Sequence, residues 1–381
     1  MRKTYQYRLY PSKAQERKLE ATRITCQKWY NDLLAERKTA YEECGETIGK
    51  YEQLRRVKEH KAASPWAALV HSHVLQVVVT DLDKAFQAFF RRLKAGHKPG
   101  YPRFKGRHRF ASFGFKELGN GFKLDGRRLR VTGIGRIAVR WHRQIEGTIK
   151  TLRLIKKASG WYASFSVEYS AQPLAPTGQD VGVDVGIASL LTTSDGDKTP
   201  KQEWYRRAQK KLRILQRRVA RRTRGGKNRR KAVVALQRQH ERIGNQRKDF
   251  LNKQAATLIT RYDRIAVEDL RITNMVQNHH RAKSILDAGW GYFIGRLHAK
   301  AEEAGRVVVE VNPAYTSKDC SGCGYRFEQL TLKDRWIDCP VCGLSLDRDH
   351  NAAINIRNRS GHVRWALSSP IGGFVQEAAG L

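Results

Sequence analysis

The stretch Asp180-Val181-Gly182-Val183-Asp184-Val185-Gly186-Ile187 limits the possible folds more than any other in the chain. Val181, Val183, Val185 and Ile187 alternate as a β-strand does, and glycines stand on both sides of one carboxylate, Asp184, in its middle. A buried strand seldom carries an ionised carboxylate, because the charge is costly away from water unless something compensates it. Glycine in a strand leaves room for a bulky group to approach the backbone. A divalent cation and a phosphate would account for both features. Taken alone, the stretch is explained as well by a turn aspartate at a strand end.

Partner carboxylates decide between these readings. Arg264-Ile265-Ala266-Val267-Glu268-Asp269-Leu270 is a second apolar strand with an acidic end, and Asp347-Arg348-Asp349-His350-Asn351-Ala352-Ala353 opens a helix whose first turn is acidic. A strand Asp, a strand-end Glu and a late helix Asp match the acidic trio of an RNase H-like nuclease. Oxygen ligands of this kind suit Mg²⁺ or Mn²⁺, and two such ions can clamp the attacking and leaving oxygens of a phosphodiester.

The charge balance agrees. The 381 residues hold 73 Lys and Arg against 36 Asp and Glu, a net +37. Neutralising phosphates releases counterions and gives sequence-independent affinity, so nucleic acid is the expected partner. No apolar run is long enough to span a bilayer and no signal-peptide core precedes the first strand, so a cytoplasmic protein without a membrane partner is expected. Six cysteines in that setting point to metal or free thiols.

Lys3 to Tyr10 alternates as a strand, Pro11 stops it, and Ser12 with Gln15 forms a capping box for a helix to about Glu43. A second helical segment covers about 49–61. A third carries Leu75, Val78, Leu82, Phe86 and Phe89 on one stripe, which is core; Gln76, off the stripe, is a candidate DNA contact. The Gly, Pro and basic run 94–109 is a linker or phosphate-contacting loop, with Arg103 and Lys105 as candidates. Short alternating runs to residue 170 predict a small barrel of a nucleic-acid-binding kind. A helical hairpin is expected over about 201–260, broken at Gly225-Gly226. Residues 201–248 hold 19 Lys or Arg and two acids, Glu203 and Glu241, which favours a nucleic-acid channel wall including Arg217, Arg218, Arg221, Arg222, Arg229, Arg230 and Arg247. Another helix follows over about 283–304, then the strand 307–311.

Cys320-Ser321-Gly322-Cys323 and Cys339-Pro340-Val341-Cys342 are separated by 15 residues, and a glycine follows each pair. Four thiolates at this doubled spacing make a closed tetrahedral Zn²⁺ site, structural because no coordination position stays open. Cys26 and Cys44 have no such partners and read as packing thiols.

Together these residues resemble the TnpB family of transposon-encoded RNA-guided nucleases, relatives of the type V CRISPR effectors with a RuvC-type nuclease domain. The resemblance runs over nearly the whole chain. It rests on Tyr7-Arg8-Leu9-Tyr10-Pro11, Pro102-Arg103-Phe104-Lys105, Gly182-Val183-Asp184-Val185-Gly186, Asn245-Gln246-Arg247-Lys248-Asp249-Phe250, Val267-Glu268-Asp269-Leu270, Tyr315-Thr316-Ser317 and Asp349-His350-Asn351-Ala352-Ala353. It implies that Asp184, Glu268 and Asp349 are catalytic, with Asp349 preferred to Asp347. It also implies a guide RNA from the transposon end, a short motif beside the target, cleavage of double-stranded DNA, and a monomer that works with its RNA in the nucleoid of a prokaryotic cell.

The expected architecture is a multidomain α/β chain: a barrel (OB-like, 1–11 and 94–170) carrying a helical insertion (12–93), a linker (171–179), an RNase H-like nuclease domain (180–319 and 343–358), a zinc ribbon (320–342) and a tail (359–381). Two rival functions remain at this point, a transposase that joins strands and a guide-directed DNA-binding regulator that does not cut.

Overall fold

The computed structural model describes residues 1–331 and 334–361. The expected tail lies, beyond residue 361, outside the described residues. Two compact units divide the chain: Met1–Ser170 with Arg222–Glu241, and Ala171–Arg221 with the chain from Arg242 onward.

The first unit opens with β1 (Arg2–Tyr10), which buries Tyr5, Tyr7 and Leu9 on one face. The capping box is present: Gln15 N donates to Ser12 Oγ at 3.2 Å and Ser12 N to Gln15 Oε1 at 3.0 Å. It starts α1 (Lys13–Cys44), which stops at Gly45 in the left-handed region, φ 68°. Then come α2 (Lys50–Ala63), α3 (Pro65–Ala68) and α4 (Ser72–Lys94). Leu75, Val78, Leu82 and Phe86 of α4 are buried, and Cys26 is buried among the α1 side chains; Cys44, expected to pack, is exposed.

The strands β2 (Ser112–Phe115), β3 (Phe122–Asp125), β4 (Arg128–Val131), β5 (Gly135–Arg140), β6 (Thr148–Lys157) and β7 (Gly160–Glu168) join β1 in a seven-stranded antiparallel sheet ordered β2-β6-β7-β1-β5-β4-β3. The first strand therefore sits at the sheet's centre, and the helices between β1 and β2 are an excursion from it. The strands expected to form a small barrel form a curled sheet. Among the described residues its edge strands share no hydrogen bonds, and the seam is filled by side chains, with the Phe115 and Phe122 rings 6.0 Å apart.

The second unit holds β8 (Asp180–Asp184), β9 (Ser189–Thr193), β10 (Lys198–Pro200), α5 (Trp204–Ala220), α6 (Lys227–Arg261), β11 (Arg264–Glu268), α7 (Ile272–Met275), α8 (His279–Ala288), α9 (Trp290–Ala304), β12 (Val307–Val311), β13 (Trp336–Asp338), β14 (Ser345–Asp347) and α10 (Arg348–Arg359). The first turns of α6 belong to the other unit, where Arg238 donates to the Ala158 carbonyl and Glu241 accepts from Ser159. The sheet order is β10-β9-β8-β11-β12, antiparallel from β10 to β8 and parallel from β8 to β12. The single helix expected over 283–304 is two, because Gly289 takes φ 75° and breaks it. β13 pairs with β14 out to Asp347, so the hairpin runs past the expected ribbon limit of 342.

Candidate functional site

Strand register builds the acidic cluster. Val183 of β8 lies opposite Val267 of β11 in a parallel pair, so the next residues, Asp184 and Glu268, end neighbouring strands. Asp184 is thus the last residue of its strand, not the middle of a longer one. Asp349 lies in the first turn of α10, which packs on β8 through Ala353, fully buried, and the backbone of Arg357.

That packing explains the glycines, and not as expected. A Cβ on Gly182 would stand 2.0 Å from the Ala353 carbonyl oxygen and 2.5 Å from the Arg357 amide nitrogen. One on Gly186 would stand 2.8 Å from the Ser189 carbonyl oxygen. The room they leave is taken by the protein's own backbone, not by a ligand.

Asp184 is held well above the ordinary aspartate range, first by burial and then by the charges of Glu268 and Asp349, against weaker help from Arg348 and the Val185 N–H. Burial also raises Glu268, against the hydrogen bond from the Thr316 hydroxyl and the charge of Arg359. The nearest cation paired with the trio among the described residues is Arg348, 3.8 Å from Asp349 Oδ1, a loose contact. Converging carboxylates with so little counter-charge fit a hard divalent cation. The cluster is looser than the thiols described below: among the described residues only the cysteines bring three or more ligand atoms all within 4.8 Å of one another, and the three carboxylates do not. Asp347 is committed elsewhere. It caps α10 by accepting from Asp349 N and His350 N, and it pairs with Lys198 at 2.7 Å.

The four expected metal cysteines do converge. Cys320 and Cys342 Sγ are 3.6 Å apart, and Cys323 and Cys339 Sγ 3.5 Å. These separations exceed a disulfide's ~2 Å and match the edge of a tetrahedron with metal–sulfur bonds of about 2.3 Å. Burial opposes ionisation of Cys339, but the backbone N–H groups of Cys342 and Val341 and the neighbouring thiols bring it down to about 6.

The candidate nucleic-acid residues divide. Arg103, Arg217, Arg218, Arg221, Arg222 and Arg230 are exposed and Arg229 is half-buried. Gln76 lines a groove of about 370 Å³ with Arg55, Lys58 and Lys61. Two candidates are tied into the fold. Lys105 Nζ lies 4.1 Å above the Tyr30 ring, and Arg247 donates to the Leu286 carbonyl and to Asp287.

Sequence reasoning did not single out Thr316, Asn351, Asn355 and Arg359 as functional. Thr316 donates to Glu268 Oε1, and the other three are spaced by four residues on α10 and bond the loop that contains Thr316. The four-residue spacing was the available signal.

Comparison with known proteins agrees with this organisation. A family model described as "Probable transposase" matches residues 164–279, one described as "Cas12f1-like, TNB domain" matches 290–356, and one described as "Helix-turn-helix domain" matches 1–46. The last segment is here a strand and one unbroken helix. The chain is 30% identical to a protein of Escherichia coli (strain K12) that bears the name RNA-guided DNA endonuclease InsQ, over 96% of this chain and 94% of that one. It is 31% identical to a Streptomyces pristinaespiralis protein also named as an RNA-guided DNA endonuclease, over 93% and 89%. The protein in a Cas12f1–sgRNA–target DNA complex shares the fold, with a TM-score of 0.60 at 14% identity over 91% of this chain and 82% of that one. With near-full-length relatives at this level, the chain belongs to the TnpB family of RNA-guided DNA endonucleases.

Proposed function

We propose that this chain cuts double-stranded DNA by metal-assisted hydrolysis at Asp184, Glu268 and Asp349, at a site chosen by a guide RNA from the transposon end and licensed by a short adjacent motif. The observation that carries the reading is the convergence of three under-compensated carboxylates on adjacent strand ends and the helix packed against them. Three antiparallel strands followed by two parallel ones, ordered β10-β9-β8-β11-β12, support an RNase H-like sheet.

Bound Mg²⁺ or Mn²⁺ would supply the Lewis acid that stabilises the attacking and leaving oxygens. Asp184, Glu268 and Asp349 would hold it. Asp347 holds the helix start, so Asp349 is the carboxylate of that turn left to serve. Cys320, Cys323, Cys339 and Cys342 fit a structural Zn²⁺, and the exposed arginines of α5 and α6 suit the backbone of an extended duplex better than base reading.

The test supplies purified protein with two guide RNAs and two plasmids, each plasmid matching one guide beside the same flanking motif. Cleavage should follow the guide and stop when the motif is changed. Cutting that ignores the guide would overturn the reading. The "Probable transposase" description favours a strand-joining reading as the second, and joined rather than hydrolysed ends in the same assay would identify it.

A further inference from the structure

The loop between β12 and the first cysteine pair carries Thr316, whose hydroxyl lies 2.5 Å from Glu268 Oε1 and 3.1 Å from the Pro313 carbonyl oxygen. A hydroxyl has one proton to donate, and the carboxylate, the shorter of the two contacts, takes it. Oε1 then carries that hydrogen bond, and among the described residues Oε2 of Glu268 has no hydrogen-bond partner.

Side chains of α10 hold this loop. Asn351 Nδ2 donates to the Asp319 carbonyl at 2.8 Å, while its Oδ1 accepts from Ser321 N at 2.8 Å, between the first two cysteines. One turn later Asn355 Nδ2 donates to the Thr316 carbonyl at 2.8 Å and the Asp319 carbonyl at 2.6 Å. One turn further, Arg359 donates to the carbonyls of Asn312 and Ala314 and pairs with the Asp319 carboxylate at 3.0 Å. Asn351 is fully buried and Asn355 nearly so, where an amide is retained only if bonded. Tyr315 accepts a left-handed backbone, φ 62°, immediately before Thr316, a strain that persists where the surroundings fix it.

We propose that Thr316 is a positioning residue for the divalent-cation site. It fixes Glu268 through Oε1 and is itself set by the Asn351–Asn355–Arg359 stripe, which joins the cysteine cluster to the helix bearing Asp349. This rests on the reading of Glu268 as a cation ligand.

The experiment titrates Mn²⁺ alone into the full-length, zinc-replete chain by calorimetry, for the wild type, Thr316→Val, Thr316→Ser and Glu268→Gln. Cleavage is measured in parallel against Mg²⁺ concentration. Thr316→Val should weaken Mn²⁺ binding about 10- to 100-fold and move half-saturation by Mg²⁺ upward by a similar factor, as loss of an orienting partner does. Zinc content and guide-RNA binding should not change. Thr316→Ser, which keeps the hydroxyl, should bind Mn²⁺ within about threefold of the wild type, well short of that loss. Wild-type Mn²⁺ affinity in Thr316→Val, with affinity lost in Glu268→Gln, overturns the role of Thr316 alone. Unchanged affinity in Glu268→Gln overturns the ligand reading and this proposal with it. Equal loss in Thr316→Ser and Thr316→Val, or loss of zinc in both, overturns it as well.

Discussion

Gly182→Ala isolates the packing that sets the distance between Asp184 and Asp349. The added methyl carbon would sit 2.0 Å from the Ala353 carbonyl oxygen, whereas real contacts of this kind do not fall below 3.0 Å, so something must move by 3.0 − 2.0 = 1.0 Å. Of the three obstructing atoms two are backbone and the third is Arg357 Cβ, so no change of rotamer relieves them. β8 is hydrogen-bonded on both sides, to β9 and β11, so α10 is the element that yields. Overpacking of this kind costs about 1–3 kcal/mol, more than the ~0.4–1 kcal/mol that alanine returns by restricting the unfolded chain. The larger consequence is catalytic, because Asp349 rides on the helix that shifts. A displacement of about 1 Å lowers the chemical step by roughly 100-fold. Calorimetric melting and single-turnover cleavage by the guide-loaded protein measure the two effects, and target binding should be unaffected. Adding Ala353→Gly should not rescue the variant, since the clash is with the carbonyl and not the methyl. Gly182→Ala that melts and cuts as the wild type would refute the argument that this glycine sets the site.

Asp184→Ala, Glu268→Ala and Asp349→Ala should each abolish cleavage and leave guide and target binding intact, whereas Asp347→Ser, which preserves an N-cap, should still cut; equal loss in all four would remove the distinction between Asp347 and Asp349. Cys320→Ser should lower zinc content and melting temperature together, since a structural site's binding energy is folding energy, and elemental analysis of the purified variant checks it. Replacing Arg217, Arg218, Arg221 and Arg222 together should flatten the salt dependence of nucleic-acid binding by about 0.7–0.9 per lost phosphate contact, and an unchanged slope would make that face ordinary solvated surface. Asp184 is raised in the folded state, so the folded chain holds its proton where the unfolded chain has lost it. Metal-free stability should therefore fall as pH rises through the ordinary aspartate range toward the raised value. Asp184→Asn should remove that component, and a wild-type minus variant melting difference that does not fall as pH rises would contradict it.

What the sequence made legible was whatever depends on short-range spacing. The capping box at Ser12 and Gln15, the α4 stripe and the paired cysteines each require only local geometry, and each forms as its spacing implies. The helix break at Gly289 was missed because a lone glycine between apolar residues is compatible with a continuous helix until it adopts a positive φ. How far the barrel closes was not legible for a related reason. Alternation specifies a strand's two faces but not whether the last edge bonds the first, and here Phe115 and Phe122 fill the seam with side chains. Lys105 and Arg247 look like any other basic residue in a charged run; only the fold brings Tyr30 and Asp287 beneath them.

The glycines beside Asp184 carry the more general lesson about reading a site. A glycine next to a carboxylate on a strand suggests space reserved for a ligand, yet at Gly182 the space is filled by the backbone of α10. The two requirements are linked by chemistry rather than coincidence. Three carboxylates repel one another, so the fold must force them together with contacts that do not themselves carry charge. Direct backbone-to-backbone packing at Gly182, with Ala353 and Arg357 opposite, brings the strand and the helix close without a charged contact. On the same helix, the asparagine stripe fastens the loop that restrains Glu268. One short helix therefore bears one carboxylate, presses against the strand that bears the second, and holds the loop that steadies the third. Ala353 and Arg357 accordingly meet β8 through their backbone, Asn351, Asn355 and Arg359 hold the loop, and Asp349 stands in the first turn.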